Sequence, residues 1–141
     1  MKQITEGLWQ AGIMFDDDMP KEANTIFWMI EDGCTLPWAS SPYFDSQIFI
    51  RYPIPDDDQG IANETFQRLW ALISAVEDRK ILAVCQAGEN RSGLVCCLVL
   101  IARGYGVEEA IKLVQENGNA RTHKHSFWNV GFVSQVRKFF S

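Results

Sequence analysis

Apolar residues along the chain fall into segments of differing period. Ile81-Leu82-Ala83-Val84 is a short unbroken apolar run, the pattern of a strand buried on both faces. Leu94 to Ala102 is apolar nearly all round, which predicts a central buried helix. Ile61 to Asp78 is amphipathic at the helical period, with Phe66, Leu69, Trp70, Ile73 and Val76 toward the core. After the stop signal Gly104-Tyr105-Gly106, Val107 to Glu116 reads as a helix with Ala110, Ile111 and Val114 inward and Glu108 and Glu109 in its first turn. Phe127 to Phe139 forms a last helix, with Phe132, Val136, Phe139 and Phe140 as its stripe. Residues 4–13 predict a first strand and turn, and Gln47 to Tyr52 another strand. Asp16-Asp17-Asp18-Met19-Pro20 has the signals of a helix entry, so a helix is expected over Lys21 to Glu31, ending before Gly33. Cys34 to Asp45 predicts a strand that leaves the sheet into a surface loop.

The 141 residues, 47% of them hydrophobic, suit one domain spanning 1–141 with a single core. No apolar run approaches the ~20 residues that cross a bilayer, so no membrane insertion is expected. The opening MKQITEGLWQ has no apolar signal core. Cys34, Cys85, Cys96 and Cys97 lack disulfide or zinc spacing, and a reducing, cytoplasmic setting follows. A net charge of -5 argues against a surface that tracks nucleic-acid phosphates. Three further features favour bland readings. Asp16 to Asp18 suit a solvated cap, not a metal site; Arg121-Thr122-His123-Lys124-His125 suits a solvated loop, because two imidazoles alone hold a metal poorly. Trp38, Tyr43 and Phe44 suit core packing better than a pocket entrance.

The junction of the buried strand and the buried helix changes the picture. Its sequence is Cys85-Gln86-Ala87-Gly88-Glu89-Asn90-Arg91-Ser92-Gly93. The first amides of a helix have no intrahelical partner and sit at the positive end of its dipole, so such a junction attracts anions. Gln86, Ala87, Gly88, Glu89 and Asn90 can wrap their N–H groups round a tetrahedral oxyanion, Gly88 allowing close approach. Arg91 can add two parallel charge-assisted bonds that Lys cannot supply. The same field favours an ionised sulfur at Cys85, hence a nucleophile.

The Cys-x5-Arg-Ser loop, CQAGENRSG, resembles the phosphate-binding loop of the cysteine-dependent protein tyrosine and dual-specificity phosphatases, in particular the small atypical type. The likeness extends to Ile4-Thr5-Glu6-Gly7-Leu8-Trp9, similar to the opening strand of that group; to Tyr52-Pro53-Ile54-Pro55-Asp56, similar to its acid loop; and to Asn129-Val130-Gly131-Phe132, similar to the start of its last helix. The resemblance implies an α/β fold with a central, mostly parallel sheet of four to five strands flanked by helices. It implies a phosphatase that needs no metal or organic cofactor and acts on phosphorylated protein through a phosphocysteine. Cys85 is then the nucleophile, Arg91 the phosphate clamp and Ser92 the hydroxyl that steadies the departing thiolate.

The reaction needs a proton for the leaving oxygen. Asp56, Asp57 and Asp58 are the candidates; the Ile-Pro-Asp pattern ending a strand resembles one branch of the family, and that resemblance implies Asp56, whereas an alternative alignment selects Asp58. One departure stands out: where the family usually has His directly before the Cys, this chain has Val84, and reduced activity is expected. Glu89 puts a negative charge in the loop and disfavours a polyphosphorylated headgroup, so phosphotyrosine or phosphoserine/threonine is preferred to a phosphoinositide. Related loops also occur in RNA 5′-triphosphatases, so an RNA 5′ end stays open. A non-catalytic phosphate-binding module would need neither thiol nor acid, and a sulfurtransferase would have no use for Asp56.

Overall fold

The computed structural model describes residues 1–16, 20–31 and 48–141. Trp38, Tyr43 and Phe44, the strand expected from Cys34, and Asp17 and Asp18 lie outside the described residues. The elements are β1 (Lys2–Thr5), β2 (Leu8–Gly12), β3 (Thr25–Trp28), β4 (Ile48–Arg51), α1 (Asn63–Val76), β5 (Ile81–Cys85), α2 (Arg91–Ala102), α3 (Val107–Asn117) and α4 (Val130–Phe139). They form a five-stranded sheet in the order β1-β2-β5-β3-β4. Only β1 runs antiparallel to its neighbour. The architecture is thus the mostly parallel α/β sheet with flanking helices.

The first strand and turn expected over residues 4–13 resolve into two strands, β1 and β2, joined at Glu6-Gly7. The helix expected over Lys21 to Glu31 is absent: β3 occupies its centre, paired with β5 on one side and β4 on the other. Thr25-Ile26-Phe27-Trp28 is buried throughout. An unbroken β-branched and aromatic run suits a strand covered on both faces, and that tertiary demand outweighs the local helix-start signals. Asp16 has a different engagement. Its carboxylate accepts the Gly12 amide at 2.9 Å.

β5 is buried at every residue and lies between β2 and β3. Its C-terminal Cys85 stands beside Gly12 of β2. α2 follows directly, with Ser92 to Leu100 all buried, packs against β2 and β5, and is surrounded by α1, α3 and α4. The chain between β5 and α2 therefore hangs between two fixed elements, and its reach is set by them.

Candidate active site

The loop from Cys85 to Arg91 packs backbone against backbone on the end of β2. Gly88 has φ +78°, and a Cβ there would stand 2.6 Å from the Gly12 nitrogen. A Cβ on Gly12 would come 2.3 Å from the Ala87 carbonyl carbon. Neither position accepts a side chain. Past β2, the Ile13 amide donates to the Cys85 carbonyl and the Met14 amide to the Gln86 carbonyl, both at 3.0 Å.

Three successive loop carbonyls are held from outside. Ala87 O accepts from Arg121 Nη1 at 3.3 Å. Gly88 O accepts from Asn119 Nδ2 at 3.2 Å. Glu89 O accepts from Gln10 Nε2 at 3.2 Å, from Ser126 Oγ at 3.3 Å and from the Phe127 amide at 3.2 Å. In a trans peptide the next N–H points opposite to the carbonyl, so these bonds aim the amides of Gly88, Glu89 and Asn90 the other way. Among the described residues, no acceptor takes the amides of Gln86 to Asn90. Five such amides beside a helix start have the arrangement of an anion nest.

A cavity of about 200 Å³ opens on this side, lined by Cys85, Gln86, Ala87, Glu89, Asn90 and Arg91 of the loop together with Met14, Asp56, Thr122 and Trp128. Cys85, only 2% exposed, has its Sγ 3.2 Å from Ser92 Oγ. As a thiol the sulfur donates; to a thiolate the hydroxyl would donate instead. Burial pushes the thiols of Cys96 and Cys97 up, keeping them neutral inside α2. Arg91 Nη1 reaches the Ile54 carbonyl at 3.5 Å, while its buried Nε is the one side-chain nitrogen or oxygen among the described residues that is buried without a partner. A guanidinium N–H left open in this way fits an incoming oxyanion.

Of the three adjacent carboxylates, Asp56 borders the cavity that contains Cys85. Asn129 Nδ2 donates to its Oδ1 at 2.7 Å and Asn90 Nδ2 to its Oδ2 at 3.3 Å. Asp57 instead accepts the Gln59 amide at 2.8 Å, and Asp58 faces the Gln59 side chain. The carboxamide of Asn90 also accepts the Asn129 amide at 2.9 Å, joining the loop to the acid segment and the start of α4.

Glu89 is 1% exposed, and its carboxylate is engaged by Thr122 Oγ1 at 2.8 Å and Trp128 Nε1 at 3.1 Å. Its role in the cradle is through the backbone. Gln86 is exposed at the rim. Val84 is fully buried in β5, and its apolar side chain offers no hydrogen bond.

The segment 121–125 is not simply a solvated loop. Arg121 holds the Ala87 carbonyl, pairs with the Asp16 carboxylate at 3.0 Å and covers the Phe15 ring at 4.6 Å. Asp16 correspondingly is no solvated cap: burial alone would raise its carboxyl, but the Gly12 amide, the chain's amino group and Arg121 outweigh this and hold it below the ordinary value. His123 and His125 are engaged separately, with Thr122 Oγ1 and the Ser126 carbonyl. Sequence reasoning missed Gln10, Asn119, Arg121 and Trp128 as parts of the site. Buried polar residues at Gln10 and Asn119 carry no local motif, and the only signal was a polar side chain inside an apolar strand.

The fold is the one found in small dual-specificity phosphatases. Human DUSP28 superposes with a TM-score of 0.73 at 16% identity, over 99% of this chain and 94% of that one. A mouse putative dual-specificity phosphatase, crystallised with zinc tungstate, gives 0.69 at 18% identity over 98% and 84%. OH1, a tyrosine phosphatase from the Orf virus, gives 0.66 at 17% identity over 99% and 86%. No family model matches the chain, and no curated protein matches it in sequence.

Proposed function

We propose that the protein is a cysteine-dependent phosphatase of the dual-specificity type, hydrolysing phosphate monoesters on protein phosphotyrosine or phosphoserine/threonine. The observation that carries this reading is one cavity lined by Cys85, Arg91, Asp56 and four residues of the loop, in which the amides of Gln86 to Asn90 and the Arg91 Nε have no partner among the described residues. A binding module would use the amides and the guanidinium alone. The fold shared with phosphatases adds support.

In the first step, Cys85 as its thiolate attacks phosphorus in line with the leaving oxygen. An S–P bond forms, the P–O ester bond breaks, and Asp56 gives its proton to the departing oxygen. The loop amides and Arg91 hold the equatorial oxygens while charge redistributes. In the second step water attacks the phosphocysteine, Asp56 takes back a proton, and the S–P bond breaks with Ser92 donating to the sulfur. No metal or organic cofactor takes part. The free, buried Cys85, Cys96 and Cys97 suit a reducing compartment, and we assign the protein to the cytoplasm.

The test is rapid quenching with p-nitrophenyl phosphate. A burst of nitrophenol equal to the enzyme, with phosphate bound to Cys85, is the expected result. Phosphate binding without a burst or turnover would identify a binding module instead.

A further inference from the structure

The position of Trp128 remains unexplained by the hydrolytic reading, which needs only the cradle and the acid. Trp128 lines the catalytic cavity together with Met14. An indole N–H is a donor only, and here it is tied to Glu89 Oε2 at 3.1 Å. The ring is also stacked with His123, centroids 3.7 Å apart and planes 20° apart. One bond in the ring plane and one contact across its face together fix the indole's direction. The preceding residue, Phe127, is fully buried with φ +50°, a left-handed conformation that a bulky side chain adopts at a cost. Phe127 packs against Gly93, where a Cβ would stand 3.0 Å from its ring. The chain thus accepts strain, and buries a carboxylate within an anion-binding loop, at the point where an aromatic wall is set beside the cavity.

We propose that Trp128 is the specificity-determining residue of this pocket, selecting phosphate esters of an aromatic alcohol, phosphotyrosine among protein substrates, with Glu89 and His123 as its positioning residues. The inference rests on the phosphatase reading of the same cavity. With the phosphate in the cradle, a phenyl ester carries its ring to the cavity wall, which the half-buried indole lines with one face covered by His123. Phosphoserine and phosphothreonine bring only a short aliphatic stem. An aromatic pair contributes about three- to tenfold in affinity beyond buried area.

The experiment measures calorimetric binding of phenylphosphonate and ethylphosphonate to the full chain, neither probe being hydrolysed. The unaltered protein is expected to favour phenylphosphonate. Trp128→Leu should lower that affinity about three- to tenfold and leave ethylphosphonate within about twofold, while Trp128→Phe keeps most of the preference. His123→Ala, at an exposed position, should weaken phenylphosphonate in the same direction by a smaller factor. In turnover of matched phosphotyrosine and phosphothreonine peptides, the Trp128→Leu loss should fall on phosphotyrosine and on KM more than kcat. Equal losses for both probes, or an unchanged ratio in both Trp128→Leu and His123→Ala, overturn the proposal. Ring selectivity without turnover of p-nitrophenyl phosphate would sink the phosphatase reading and leave the aryl site standing; turnover without ring dependence does the reverse.

Discussion

The two rims of the loop from Cys85 to Arg91 differ in one respect that explains the rest. On the outer rim the carbonyls of Ala87, Gly88 and Glu89 are each held by donors from β2 or from the segment between α3 and α4. On the inner rim the amides of Gln86 to Asn90 and the Arg91 Nε have no partner among the described residues. A buried donor without a partner costs about 1–3 kcal/mol, so an array of them persists only where the surrounding structure dictates it. Because each carbonyl and the following N–H belong to one rigid plane, fixing one rim orients the other. The outer rim is scaffold, and the inner rim keeps the open donors that the proposed function assigns to an oxyanion.

The largest effects should come from the inner rim. Cys85→Ser should reduce turnover of p-nitrophenyl phosphate by at least ~10³-fold while phosphate still binds, since the amides and Arg91 remain. A variant as fast as the parent would refute the nucleophile. Asp56→Asn should lower kcat by about 10²–10⁴-fold on an alkyl phosphate, and much less on p-nitrophenyl phosphate, whose leaving group needs little protonation. Parallel measurements on Asp57→Asn and Asp58→Asn sharpen this; if Asp58→Asn gives the larger loss, the acid has been misassigned.

Between the rims stands Gly88. Gly88→Ala combines a positive φ with a backbone clash at Gly12, so it should destabilise the fold by about 1–3 kcal/mol, read as a lower urea midpoint, and weaken phosphate binding. Outer-rim substitutions should be milder. Asn119→Ala and Arg121→Leu leave the cradle's chemistry intact but free one loop carbonyl each, so KM should rise about tenfold or less with a smaller fall in kcat. A loss confined to kcat would show that the outer rim does more than orient amides.

The smallest effect concerns Asp16. Its folded-state carboxyl lies below the ordinary value, so its stabilising contribution is complete above the unfolded value and is lost as pH falls through the lower, folded one. Asp16→Asn should therefore flatten the acid end of the stability curve, measured by urea midpoints below about pH 4, and leave the neutral range less changed. An acid limb identical to the parent's would show that the Gly12 amide, the amino group and Arg121 together contribute nothing to that dependence.

The elements that were legible from the sequence are those whose pattern is local. β5, α2 and the loop between them form one contiguous string, and α1 and α3 announce themselves by Phe66, Leu69 and Ile73 or by Ala110, Ile111 and Val114, all buried. The stretch around Thr25 to Trp28 was misread because Asp16 and Pro20 mimic a helix start, whereas the strand is imposed by two neighbours distant in sequence. The outer rim was invisible for a similar reason. Gln10 lies 79 positions from the Glu89 it holds, and nothing local marks it as a loop anchor.

What the sequence by itself determined is the order strand, thiol, five-residue turn, guanidinium, helix, because the covalent chain brings those groups together. What only the tertiary structure decided is which distant groups complete them. Asp56, Asp57 and Asp58 are alike as neighbours in a chain; the carboxamides of Asn90 and Asn129 bond the carboxylate of the first, the one we propose as the acid. Glu89 reads as a charge in the cradle until Thr122 and Trp128 take up its oxygens. Hydrogen bonds act over about 3 Å, and such proximity between residues far apart in sequence exists only once the core has closed.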